Sequence, residues 1–460
     1  MKYRIFTFAL IALLQFSLHA KQLPPVGAPA KDFSLPQTLN LTLDNGLKVT
    51  LIDYGNTPKV TLRLVTKTGN VDDGELQGVA DLAYQLLTEG TSSKTALDIA
   101  QQAADMGGQV INQVGTNSSY LQLDVLSEFV GDAALLLGDL VLNSQFAEDD
   151  LAQAKANILR KLRVQRSEPQ SQVAEAFNTL LFAQHPYAVT FPDEARFSAI
   201  NPQQAKSFIT QHLVAKRSHL YISGKFDHAV ATSAVQQAFA ALAAGNDTTV
   251  AAPDYQGAGK LVFIDRPNAP QSSIRIGLPV ATPADPDFIG LQLLNTMLGG
   301  AFSSRITANI RENKGYTYSP YSSINSRVNS SLWYETADIT SESTAAALEE
   351  IIKEIRLLQN QAPSEAELNG MKSYSSGIYV LQNSTRTAII NQLWFLETHG
   401  LPLSRLESYV KQLNSLSAED ISALARKYLD VSKMSLVVVG DSATVNPQLA
   451  QSEVISSLFK

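Results

Sequence analysis

The chain has 460 residues, 45% of them hydrophobic and 17% charged, with a formal charge of −7 and no cysteine. Such a balance excludes a nucleic-acid binder, which needs a basic face, and a mostly disordered chain, which could not fill a core. The missing thiols exclude disulfides, thiolate metal sites and lipid attachment through cysteine.

Lys2 and Arg4 precede an apolar stretch over residues 5–18 and the small Ala20. This is the pattern of a secretory signal peptide over residues 1–20, cleaved after Ala20. The apolar stretch is shorter than the roughly 20 residues that a membrane-spanning helix needs. No later segment approaches that length without charges, so no membrane insertion is expected. Export without cysteine fits a bacterial periplasm, the expected location. Loss of Lys2 and Arg4 leaves 34 basic against 43 acidic residues, a charge of −9. The remaining length exceeds one hydrophobic core, and two to four domains are expected.

Residues 40–52 read as two alternating strands joined at the turn Asp44-Asn45-Gly46, and a third strand follows at residues 60–65. Gly78 then opens a helix in which Val79, Leu82, Ala83, Leu86 and Leu87 share helical spacing. Asn201, with Pro202 behind it, caps a helix that precedes a strand ending at Gly224. Residues 240–259 are rich in Ala, Gly, Thr and Asp and mark a linker. The programme then restarts, with strands at 260–265 and 273–278 and a helix at 288–298. Ser417 caps a helix before a strand ending at Gly440, so both cap residues and both glycines lie 216 positions apart. A shared offset makes duplication the better reading. The domains are drawn at 21–243 and 260–460, with the linker at 244–259. Ser364 and Glu367 form a capping box that opens one long helix, expected to run from 364 to about 390.

Several motifs now resemble the insulinase/pitrilysin type of zinc peptidases, a family that includes the mitochondrial processing peptidases and small bacterial relatives. In the first half they are Gly78-Val79-Ala80, Glu89-Gly90-Thr91, Gly107-Gly108 and His185-Pro186-Tyr187. In the second they are Leu298-Gly299-Gly300, Ser304-Arg305, Arg311-Glu312 and Gly315-Tyr316-Thr317-Tyr318-Ser319. The resemblance implies an α+β fold of two homologous α/β-sandwich domains, each an antiparallel or mixed sheet packed with helices, forming half of a clam-like chamber. Active members carry H-x-x-E-H on the helix after Gly78, where two histidines bind zinc and the glutamate activates water. The matching positions here are Asp81, Tyr84 and Gln85, read as one helix face opposite the apolar stripe. One carboxylate, a phenol and an amide make a poor zinc set. A third ligand, a glutamate in the family, would fall near residues 157–162, where Arg160 and Lys161 stand instead. Outside the signal the histidines are His185, His212, His219, His228 and His399, no two of them three or four apart. No metal site is expected in this chain, and no cofactor.

The family's substrate-contacting Arg and Tyr match Arg311 and Tyr318, placed at the end of a helix over 302–312 and in a strand starting at Tyr316. A guanidinium holds peptide carbonyls or a carboxylate, and a phenol donates to the oxygen of a tetrahedral intermediate. The alternative is that Arg311 caps helix carbonyls and Tyr318 fills a half-buried strand position. Leu298-Gly299-Gly300-Ala301 is read as a flexible turn at the chamber wall, and Trp333-Tyr334 and Trp394-Phe395 as core aromatics. The expected function is that of the non-zinc-binding subunit of a periplasmic heterodimeric metallopeptidase, inactive alone. Arg311 and Tyr318 would then serve a partner chain that carries H-x-x-E-H and zinc, acting on peptides or unfolded protein. A non-catalytic scaffold or peptide-binding protein of the same fold is the alternative, and an enzyme with a divergent metal site a third.

Overall fold

The first register is set at a turn. Gly46 adopts φ +91°, and the Asn45 side-chain amide donates to the Phe239 and Leu242 carbonyls at 2.8 and 2.9 Å while its oxygen accepts from Leu47. The computed structural model describes residues 34–460, so the expected signal peptide lies outside them. Among the described residues no helix is long and apolar enough to cross a membrane.

The first sheet holds β1 (Thr38–Thr42), β2 (Lys48–Asp53), β3 (Lys59–Thr66), β4 (Val110–Val114), β5 (Ser119–Leu126) and β6 (Ser218–Gly224). Their order is β1-β2-β6-β3-β5-β4, antiparallel except for the parallel pair β2 and β6. The second sheet holds β7 (Leu261–Asp265), β8 (Gln271–Pro279), β9 (Tyr321–Arg327), β10 (Ser330–Thr340) and β11 (Ser435–Gly440). Its order is β7-β11-β8-β10-β9, antiparallel except for β7 and β11. The second sheet therefore repeats the topology of the first without a counterpart of β1.

Duplication reaches single side chains. Arg63 on β3 pairs with Gln122 on β5 and stacks on Tyr120, two residues earlier, at 4.2 Å. Arg275 on β8 pairs with Thr336 on β10 and stacks on Tyr334, again two residues earlier, at 4.3 Å. The capping boxes are also equivalent: Asn201 accepts from the Gln204 amide at 2.9 Å, and Ser417 from the Asp420 amide at 3.1 Å.

Each sheet buries one face under its own helices and the other under a helix from the opposite half. Ile389, Ile390, Leu393 and Leu396 of the helix Arg386–Thr398 cover Ile52, Val65 and Tyr221 of the first sheet. Val173, Phe177 and Leu181 of the helix Pro169–Phe182 cover Leu332, Val437 and Val439 of the second. Phe182 and Thr398, which end the two helices, share the 216-residue offset. Polar contacts line the same seam: Arg386 bonds Asp124 at 3.0 Å, and Glu397 takes Lys48 at 2.8 Å and His219 at 2.6 Å. Burial raises the Glu397 carboxyl, but His219 and Lys48 outweigh it and hold the group well below the usual carboxylate range.

Three expectations need correction. The helix opened by Ser364 ends at Gln382, because Thr385 accepts from the Ala388 amide at 3.1 Å and starts a new helix. The strand expected from Tyr316 begins instead at Tyr321. Thr296–Gly300 is not a flexible loop but a π-helical turn in which a Gly299 Cβ would come within 2.5 Å of Glu335 and Ser322. Residues 240–260 carry neither helix nor strand, yet Val250 and Tyr255 pack against the cluster under the helix Pro169–Phe182.

Since Phe177 is fully buried in that seam, Phe177→Ala should cost about 3–5 kcal/mol. Urea unfolding measures it; a loss below about 1 kcal/mol would mean that the exchanged helix contributes little.

Candidate functional site

The helix Val79–Leu86 starts at Gly78, whose φ of +85° and contact with Phe197, 2.6 Å from an added Cβ, leave no room for a side chain. Asp73 satisfies the helix start, its carboxylate accepting from the Gly78 amide at 2.8 Å and the Ala80 amide at 2.9 Å. Burial pushes the Asp73 carboxyl up to about 7 against those two bonds, and the nearby Asp81 adds to the rise.

Along this helix the three zinc-equivalent positions are each committed elsewhere. Asp81 accepts from the Asn70 amide at 2.7 Å. Burial raises its carboxyl, while Asn70 and the facing Lys161 ammonium pull the other way. Gln85 donates to Glu89 at 2.6 Å. Tyr84 departs from the expected open face: it is 1% exposed, in the core beside Thr66 and Ser119, and burial raises its phenol. The expectation failed because this helix is covered on more than one side, with Ala80 buried as well as the apolar stripe.

The helix Glu148–Ser167 forms the opposite wall. Asn157 and Lys161 line a cavity of about 300 Å³ with Gln85, Glu89, Asp150 and Gln153. A second cavity, of about 330 Å³, carries Asp73, Asp81, Lys161 and Arg327. Zinc does not fit here. An ammonium faces the one carboxylate at the matching positions, Gln85 offers only a neutral amide oxygen, and the phenol is in the core. Among the described residues no group of three or more histidines, cysteines or carboxylates could hold a metal ion. The histidines are held apart: His185 accepts from the Tyr187 amide, His212 lies on Arg217, His219 on Glu397 and His228 on Asp53.

In the second half, the π-helical turn Thr307–Asn313 ends at Gly315, φ +67°, and the Tyr316 amide bonds back to the Ile310 carbonyl at 2.9 Å. Thr317 then fixes the chain by donating to the Asp338 carbonyl at 2.6 Å. These bonds present Tyr318 at 79% exposure and bring its ring to 5.1 Å from the Arg311 guanidinium. Phe302, 70% exposed, stacks on the same guanidinium at 4.2 Å. Stacking of this kind contributes about 0.5–1 kcal/mol at an exposed site, enough to bias one arginine rotamer. Glu312 lies 3.2 Å from Arg311. Arg311 and Tyr318 thus come together, as the turn at Gly315 suggested, but they line neither cavity beside Asp81.

Phe302, Arg327 and the Arg63 and Arg275 pair belong to none of the sequence motifs. The usable signal was a cation inside each of two apolar strands, at positions 63 and 275.

Comparison with known proteins agrees with this geometry. Residues 48–191 match the model of the insulinase family, peptidase family M16, and residues 199–374 match the peptidase M16 inactive domain. An uncharacterized zinc protease of Mycobacterium leprae is 24% identical over 397 residues, 85% of this chain and 88% of that protein. The crystal structure of a peptidase M16 inactive domain from Pseudomonas fluorescens superposes with a TM-score of 0.82 at 26% identity, covering 88% of this chain and 98% of the other. A protease from Helicobacter pylori shares the fold at a TM-score of 0.80 and 16% identity, over 88% of this chain and all of that one, 100%.

The raised Asp73 group makes a pH prediction. Between its unfolded value near 3.8 and its folded value of about 7, the folded state binds more protons, so stability is lost as pH rises through that window. Thermal unfolding from pH 4 to 8 should therefore show a shallower decline for Asp73→Asn than for the parent chain; equal slopes would contradict the assignment.

Proposed function

This chain belongs to the insulinase (M16) peptidase family, and from that premise we propose that it is the zinc-free subunit of an exported two-chain metallopeptidase. In this reading the protein works in a bacterial periplasm, its first domain spans residues 21–243 and its second 260–460. A partner of the same family supplies H-x-x-E-H and the zinc. The substrate is a peptide or an unfolded protein segment enclosed between the two subunits.

The observation that carries the proposal is a contrast between the halves. Asp81 and Gln85 bond neighbours within the chain and Tyr84 is buried in the core, whereas Arg311 and Tyr318 are stacked together on an exposed turn. Neither structural alternative for that pair is occupied: Tyr318 lies outside any strand, and among the described residues the Arg311 guanidinium makes no bond to a helix-end carbonyl. A guanidinium lying over two rings, with its Nε beside Glu312, keeps its remaining donors free for a peptide carbonyl or carboxylate. An exposed phenol can donate to the oxyanion that forms when water adds to the scissile carbonyl, and that donor strengthens its bond as charge develops.

Purified alone, the chain should leave a quenched peptide uncut, and mixing with its zinc-bearing partner should give chelator-sensitive cleavage. Chelator-sensitive cleavage by this chain alone would overturn the assignment. In the assembled pair, Tyr318→Phe should slow turnover by roughly 10²–10³ without weakening assembly. An unchanged rate would favour the scaffold reading, in which the same fold only holds a partner or peptide.

A further inference from the structure

Three guanidiniums are enclosed at the seam between the halves, and among the described residues none has a carboxylate within ion-pairing distance. Arg63 donates to Gln122 at 2.7 Å and to the Asn391 oxygen at 2.5 Å. Arg275 rests on Tyr334, and its buried Nε has no partner. Arg327 lies over Phe182 and Tyr187, at 5.1 and 4.9 Å, and donates to the Tyr187 carbonyl at 3.0 Å. Arginine stays charged, and burying that charge with no counter-ion is costly. Arg275 and Arg327 also repel each other. Ring faces offset only part of this cost, and the remainder favours an external anion.

Two cavities border Arg327. The one beside Asp81 already sets two carboxylates, Asp73 and Asp81, against Lys161 and Arg327, and so leaves less need for an anion from outside. The other is a cleft of about 410 Å³ between residues 116–118, residues 325–328 and the end of the helix Arg386–Thr398, and no Asp or Glu lines it. Its one further titratable residue is His399, which burial pushes down to about 4, so that the ring is neutral at pH 7. Because the Asn391 oxygen is taken by Arg63, its amide nitrogen is left to donate. Ser118 adds a hydroxyl, and Trp394 supplies an apolar wall.

We propose that this cleft is a binding site for a peptide carboxylate, with Arg327 holding the carboxylate, Asn391 and Ser118 donating to the adjoining peptide atoms, and Trp394 covering the apolar part. The carboxylate comes either from a peptide C-terminus or from an Asp or Glu side chain. The site is independent of Arg311 and Tyr318 and of any zinc partner.

Trp394 is one of only two tryptophans, and the other, Trp333, is 1% exposed and out of a ligand's reach, so a ligand-dependent change in emission reports on the cleft. The chain alone is titrated with N-acetyl-trialanine as free acid, with its C-terminal amide, and with N-acetyl-Ala-Glu-Ala amide; Trp394→Phe, which should lose the signal, is the control. At least one carboxylate-bearing peptide should bind about tenfold or more tightly than the trialanine amide, and which one does so identifies the source. Arg327→Gln should erase the difference. Since that variant also loses a bond to the Tyr187 backbone and could misfold, the acid-against-amide contrast on the unaltered chain decides by itself. Equal binding of acid and amide, no binding of either carboxylate peptide at millimolar concentration, or inorganic phosphate binding as tightly as the better peptide would overturn the proposal. No zinc partner is present, so failure here leaves the two-chain reading standing, and failure of that reading leaves this site standing.

Discussion

The exchange of one helix between the halves is the constraint on which the remaining structure depends. A sheet covered on one face leaves the other wet, and alternate residues of its strands then tolerate charge. Here the helices Pro169–Phe182 and Arg386–Thr398 close those second faces. β3 is buried along nearly its whole length and β11 throughout. The outward positions of β3 and β8 nevertheless carry Arg63 and Arg275, so each guanidinium becomes enclosed and lies on a tyrosine. The same register holds in both halves. The arrangement also leaves guanidiniums without ion-pair partners at the seam, where the Arg327 cleft opens.

Much of this was legible where the physics is local. The Asp44-Asn45-Gly46 turn, the caps Asn201 and Ser417 and the helix start at Gly78 depend on neighbours a few residues away, and each stands in the sequence. The 216-residue offset was legible because it compares the chain with itself. What failed depends on distance. Tyr84 is in the core because Thr66 and Ser119, on β3 and β5, close over it. The helix expected to run to about 390 stops at Gln382 because a second helix must start at Thr385 to cross to the first sheet. That cap was visible as a threonine, but nothing local said it would be used. The crossing of helices and the stacking of Phe302 on Arg311 have no local signature.

The first-half cleft keeps the shape of a metal site and loses its chemistry. Its walls, the helices Val79–Leu86 and Glu148–Ser167, face one another across the positions that family members use for zinc. Asp81 faces an ammonium, and one of its oxygens accepts from Asn70. With the charge balanced inside the protein, a divalent ion would gain little there and would have to displace Lys161. The second half differs: a π-helical turn, a left-handed glycine and a threonine bond position Arg311 and Tyr318 on an exposed turn.

Zinc content of the purified chain after equilibration with zinc and exhaustive dialysis tests this contrast most directly. Because Asp81 faces Lys161, Tyr84 is in the core and Gln85 offers only a neutral amide oxygen, the metal should fall to the level of a dialysed control protein. One zinc retained per chain, and lost on Asp81→Ala, would contradict it.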